Sequence, residues 1–171
     1  MYQINFNNLI DLLQHFSTNH MQVKDFGSGT SPQLDRFLAN KPTYPIIWAN
    51  LDNVLYDSGM NQKSFKFNIL AMDILDNTES NQNDIWNDSV MILEDLIKFL
   101  QWNSKEYYRV NFNQLQITPF TEGKTEYLAG ANLQIQIEVD FDGLNNCGIA
   151  GYEFHLFQNE IVYTSDETED N

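Results

Sequence analysis

The chain has 171 residues, 42% of them hydrophobic and 13% aromatic, which suffices for one sizeable domain with its own core and is short for two. A single cysteine, Cys147, excludes an intramolecular disulfide, and with three scattered histidines it forms no cluster able to hold structural zinc. Twenty-four acids against nine bases give a net charge of −15, a balance that repels nucleic acid and weighs against a DNA- or RNA-binding module.

Phe6, Leu9, Ile10, Leu13 and Phe16 recur at spacings of three and four and predict a helix over residues 5–16 with one apolar stripe. With Asp11 inside that stripe and no basic stretch before it, the segment reads as the first element of the fold and not as a leader or anchor. Gly27-Ser28-Gly29 reads as a turn. Ser31-Pro32 then supplies an N-cap residue and a first-turn proline for a short helix to about Leu38. Pro42 and Pro45 break what precedes them, and Tyr44–Ala49 (YPIIWA) opens a sheet.

After the turn Asp57-Ser58-Gly59, Phe65, Phe67, Ile69 and Ala71 alternate with Lys66 and Asn68, and Leu70 and Met72 then make both sides apolar. Such a strand starts half wet and ends buried on both faces. The polar stretch Asp76–Asp84 is turn-forming, with Asn83 or Asp84 as cap for the next helix. Ile85, Ser89, Ile92, Leu93, Leu96, Phe99 and Leu100 form one stripe to about Trp102, roughly five turns, with Glu94 and Lys98 placed as an exposed i,i+4 pair.

From there the pattern is β: Tyr107–Phe112, Leu115–Phe120, a turn at Glu122-Gly123-Lys124, and a long strand from Tyr127 to Phe141. Along it Leu133, Ile135, Ile137, Val139 and Phe141 point one way, and Gln134, Gln136, Glu138, Asp140 and Asp142 the other. Tyr152–Tyr163 is strand-like, and Thr164–Asn171 is an acidic tail expected to be mobile unless a partner orders it. The order of elements predicts an α+β domain over residues 1–151, an antiparallel or mixed sheet with two or three helices on one face, followed by a C-terminal extension at 152–171. Trp48, Trp86, Trp102, Tyr107 and Tyr108, with the apolar end of the 64–76 strand, leave two readings open: they fill the core of a single copy, or they exceed what one small core obviously needs and an oligomeric partner covers the surplus.

Catalytic signatures are absent from the sequence. Gly27-Ser28-Gly29 has Pro32 where a dinucleotide motif needs glycine, and no phosphate-loop lysine follows. His15, His20 and His155 do not form a helical ligand pair, and Asp76, Glu79 and Asp84 lack the alternating acids and central glycine of a calcium loop. Cys147 lies in an acidic segment that does not activate a thiol. Glu138, Asp140 and Asp142 read as a solvated row, and Asn87-Asp88-Ser89 as a chance sequon within a helix. No catalytic, cofactor-binding or metal-binding residue is assigned, no cofactor is expected, and no segment is long and apolar enough to cross a membrane as a helix.

The segments YPIIWANLDNV, SFKFNILAMDIL with DNTESNQNDIWNDSVMILEDLIKFL, and PFTEGKTEYLAGANLQIQIEVDFDGLNNCGI resemble the tail-completion and head-to-tail ring proteins of tailed phages, especially neck proteins of crAss-like phages that infect Bacteroides. The likeness covers residues 1 to about 150. Its most specific parts are the Met72-Asp73 strand end with its acidic connection into the long helix, and the block from Pro119-Phe120-Thr121-Glu122 to Ala129-Gly130; Ala131 stands where an aromatic often follows. The resemblance implies a tail terminator-like, non-enzymatic virion protein, assembled in the host cytoplasm. Its copies would close head-to-tail into a sixfold or twelvefold ring between portal and tail proteins, with DNA passing through the channel without specific binding. A reading from another class, an acidic DNA mimic that blocks a basic nucleic-acid enzyme, also accommodates the charge.

Overall fold

The computed structural model describes residues 4–57, 59–104, 108–123 and 127–140. The readings placed on Ser58, Tyr107, Lys124, Phe141, Asp142, Cys147, His155 and the 152–171 extension lie outside the described residues. The elements run α1 (Phe6–Asn19), β1 (Asp25–Ser28), α2 (Ser31–Ala39), β2 (Ile46–Asp57), β3 (Gln62–Ile74), α3 (Gln82–Asn103), β4 (Arg109–Val110), β5 (Gln116–Gly123) and β6 (Tyr127–Asp140). They build an α+β fold on one mixed sheet of six strands in the order β1-β2-β3-β6, with β4 and β5 sharing the outer edge of β6.

The helix boundaries follow their caps. Asn5 and Asn8 close a reciprocal pair at the start of α1, each side-chain oxygen accepting the other's backbone N–H at 3.1 and 3.0 Å. The helix continues a turn past residue 16 to Asn19. Thr30, and not Ser31, occupies the N-cap of α2, where its N–H and Oγ1 donate to Gln33 Oε1 at 2.8 and 3.2 Å. The cap of α3 is Asn81, two to three residues before the expected position. It is held there by Asp76, whose N–H donates to Asn81 Oδ1 at 3.0 Å, while the Asp76 carboxylate accepts the N–H groups of Thr78 and Ser80 at 3.0 and 2.9 Å.

The core lies between the sheet and the α1/α3 layer. Leu9, Leu13 and Phe16 of α1 and Ile92, Leu93, Leu96 and Leu100 of α3 bury against Ile47, Phe65, Phe67, Ile69, Leu133, Ile135 and Ile137. These strand residues alternate as a half-buried sheet requires. Phe99 is half-buried, its ring 5.4 Å from Phe16. The hydrogen bond of Lys98 goes to Asp95 and not to Glu94: its Nζ donates to Asp95 Oδ1 at 2.9 Å, Glu94 acts on it only through its charge, and His20 Nε2 lies 3.5 Å from the second Asp95 oxygen. Lys98 and then His20 hold the Asp95 carboxyl below its ordinary range.

Two helices, α1 and α3, cover this face; the third crosses to the other. β1 and β2 are parallel neighbours, and a parallel pair cannot be joined by a hairpin, so the connection crosses a sheet face and α2 is carried over it. There Leu34, Phe37 and Leu38 pack on Ile46, Trp48, Met72, Leu128 and Leu70. This accounts for a strand end that is apolar on both sides. It also disposes of part of the supposed aromatic surplus: Trp48 and Tyr108 are buried within the subunit, Trp86 is half-buried, and Trp102 is exposed.

Three strands depart from the sequence pattern. Gly27-Ser28 belongs to β1 and not to a turn, and a Cβ on Gly27 would lie 2.5 Å from the Trp48 ring; glycine lets the indole lie flat against the strand. β2 extends to Asp57 through a bulge, with the register against β3 shifting between Leu51 and Asn53. The expected 107–112 strand shrinks to Arg109–Val110, followed by a 3₁₀ turn at Phe112–Gln114.

Tyr108 joins the end of α3 to β4. Its hydroxyl donates to Leu100 O at 3.0 Å, satisfying a carbonyl that has no partner within the helix's last turn. Burial pushes this phenol up to about 12 from 10. The folded state therefore holds the proton more tightly than the unfolded chain, so stability is complete below pH 10 and falls as pH rises toward 12. Denaturation midpoints between pH 9 and 12 should show that loss. Tyr108→Phe should remove this group's share of it and cost about 1 kcal/mol at neutral pH.

Candidate functional site

The polar half of the sheet face not covered by α1 and α3 holds a groove of about 240 Å³. Its position follows from the register. Lys66 pairs with Gln136 and Asn68 with Gln134, so the wet positions of β3 and β6 lie side by side. On one flank the β2 bulge turns Asp52 into the groove, and on the other Asn111 closes it, its N–H bonded to Gln136 O at 3.1 Å. Phe67 and Ile135, whose side chains bury on the other face, pass beneath.

The groove thus presents four carboxamides, one ammonium and one carboxylate. Asn111 Oδ1 accepts from Asn113 N–H at 3.2 Å, and Gln136 Nε2 donates to Glu138 Oε1 at 3.3 Å. Lys66 and Asp52 form no ion pair among the described residues. The four carboxamides neither titrate nor attack, so they act by hydrogen bonding, each offering both a donor and an acceptor. Next to the groove, Asn132 Oδ1 is buried without a donor.

The residues singled out in the sequence do not converge on this site. His15 lies on the exposed side of α1, with Asn19 Nδ2 3.4 Å from Nδ1, and His20 faces Asp95 across the helix pair. The carboxylate of Asp76 is occupied by its own loop, and bonds from Ser80 and then Thr78 hold its pKa low, consistent with a turn and cap instead of a calcium site. Asp84 is exposed in the first turn of α3, and Asn87 lies on that helix's exposed side. Glu138 and Asp140 do share the polar face of β6, but Asp140 accepts from Arg109 Nη2 at 2.9 Å, so the acidic row is interrupted by a base.

Asp73, at the far end of β3, has its carboxyl raised mainly by burial, with the Ile74 N–H opposing and nearby Asp88 adding to the rise. No three His, Cys, Asp or Glu side chains come together as a metal site among the described residues, and no described helix is long and apolar enough to cross a membrane.

The groove was not read from the sequence, although two of its strands carried a signal. Lys66 and Asn68 alternate with Phe65, Phe67 and Ile69, and Gln134 and Gln136 with Leu133, Ile135 and Ile137. Pairing those strands brings the polar sets together; nothing local announces Asp52 or Asn111, which arrive through a bulge and a 3₁₀ connection. No protein-family model matches the chain, and a search of curated proteins gives no significant match.

Proposed function

We propose that this protein is a structural component of a tailed-phage neck, closing head-to-tail with its own copies into a sixfold or twelvefold ring between portal and tail, with DNA passing through the channel unbound. The observation that carries this reading is that large apolar side chains stand exposed at both ends of the sheet. Leu55 and Met60 (45% and 68% exposed) sit where β2 turns into β3; Ile74 and Tyr127 (49% and 58%) sit at the other end. The 13 residues of β3 separate them, about 40 Å at 3.3 Å per residue. Different exposed apolar residues at the two ends of one molecule suit a heterologous contact, which closes into a ring when its rotation divides the circle. The acidic balance suits a channel that lets DNA slide. The DNA-mimic reading needs an unbroken acidic surface, and on β6 that row gives way to Gln134, Gln136 and the Arg109–Asp140 pair.

Size-exclusion chromatography with light scattering should give one closed species of six or twelve copies. Met60→Lys at one end and Ile74→Lys at the other should each reduce it to monomer. Mixed together, the two variants should recover dimers and nothing larger, because one intact head meets one intact tail. A wild-type chain that stays monomeric at all concentrations and is missing from purified particles would sink the proposal.

A further inference from the structure

We propose that the groove between the β2 bulge and Asn111 binds a neutral polyhydroxylated ligand, a single sugar ring or the terminal sugar of a glycan, through the carboxylate of Asp52, the ammonium of Lys66 and the carboxamides of Asn68, Gln134, Gln136 and Asn111. This goes beyond the assembly role, which does not use the groove.

Charge comes first. In a chain of net charge −15, the groove lining carries one positive and one negative side chain, so neither an anion nor a cation is favoured. What remains is hydrogen bonding, and here donors and acceptors are mixed: each carboxamide offers both, Asp52 only accepts and Lys66 only donates. A hydroxyl also does both, so a ring of adjacent hydroxyls fits this mixture without leaving a buried group unmatched.

Location argues against an extended peptide. A peptide strand is recognised through main-chain bonds at a sheet edge, whereas this groove lies on a sheet face, where the backbone groups of β3 and β6 already pair with each other. Size agrees, since about 240 Å³ is below the roughly 300–1,000 Å³ of sites for drug-sized ligands. The bulge is a second, separate observation. An extra residue that re-aims a side chain is a feature associated with sites, and this one sets Asp52 beside Lys66, where a regular strand would continue the ladder.

The test is saturation-transfer difference NMR on the full chain, which also works if the chain assembles. The probes are the methyl glycosides of glucose, galactose and mannose. At least one should give a saturable signal in the millimolar range, and Asp52→Ala and Gln134→Ala should each weaken it about tenfold, while Glu122→Gln, outside the groove, leaves it unchanged. A matching trisaccharide distinguishes the sources: tighter binding than the methyl glycoside indicates a glycan end, and equal binding a single sugar. Should either variant fail to fold, the side-chain amide resonances of Asn68 and Gln134 in the wild-type chain give the same answer by shifting on titration. Absence of signal from all three glycosides overturns the proposal. So do undiminished binding in both folded variants, and displacement of the sugar by inorganic phosphate or by triglycine.

Discussion

Gly130→Ala is expected to destabilise the fold by about 4 kcal/mol or more, a large part of the roughly 5–15 kcal/mol that a domain has in total. In an open strand the same change is often mildly favourable, because alanine restricts the unfolded chain. Here the sign reverses for a steric reason. A Cβ on Gly130 would stand 2.1 Å from Ala71 O and 2.9 Å from Met72 Cα. Both obstacles are backbone of the adjacent central strand and cannot swing aside as a side-chain tip would. Relief requires β3 and β6 to part where Ala71, Met72 and Asp73 pair with Ala131, Gly130 and Ala129, which also loosens the α2 layer seated on Met72 and Leu128. Urea denaturation followed by far-ultraviolet circular dichroism measures the loss. Gly59→Ala is the control: among the described residues its Cβ would meet only Asp57 Oδ1, at 3.3 Å, and its effect should stay within about 0.5 kcal/mol. Equal midpoints for Gly130→Ala and wild type would mean that the two strands do not approach as closely as described.

What the sequence made legible, and what it hid, follows from the range over which each feature is encoded. The α3 stripe and the β6 alternation are written within single elements, and both appear where the spacing placed them, with Ile85, Ser89, Ile92, Leu93, Leu96 and Leu100 buried together. β2 was cut short at Ala49 because its bulge breaks the period of two: the residues facing α1 and α3 are Leu51 and Val54, three apart, and the Asn and Asp between them read as loop. β1 escaped notice because Asp-Phe-Gly-Ser has little strand preference of its own and is extended by pairing with β2. The side on which α2 packs depends on β1 being a strand, so missing one concealed the other. The groove was least visible of all. Its residues come from β2, β3, β6 and the β4–β5 connection, and carboxamides in no fixed spacing carry no motif.

Phe67→Ala is expected to cost about 3–5 kcal/mol through lost burial and the cavity left behind. The residue is 1% exposed at the middle of β3, the strand between β2 and β6, and lies in the main cluster between the sheet and the helices. Pairing on both flanks holds its backbone in place, so the site cannot collapse readily, and a site that cannot collapse belongs at the upper end of that range. Its ring stacks on Phe6 at 6.2 Å with planes 10° apart, and that contact fixes the start of α1 to the sheet. Phe6 is 36% exposed, so Phe6→Ala alone should cost much less. Combined, the two should be less damaging than their separate effects imply, by about 0.5–1.5 kcal/mol, because the stacked pair is lost only once. Urea melts of the two single variants and the double variant give this coupling directly. Strict additivity would show that the Phe6–Phe67 pair contributes nothing beyond buried area, leaving the anchoring of α1 to its other contacts, among them Leu9, Leu13 and Phe16.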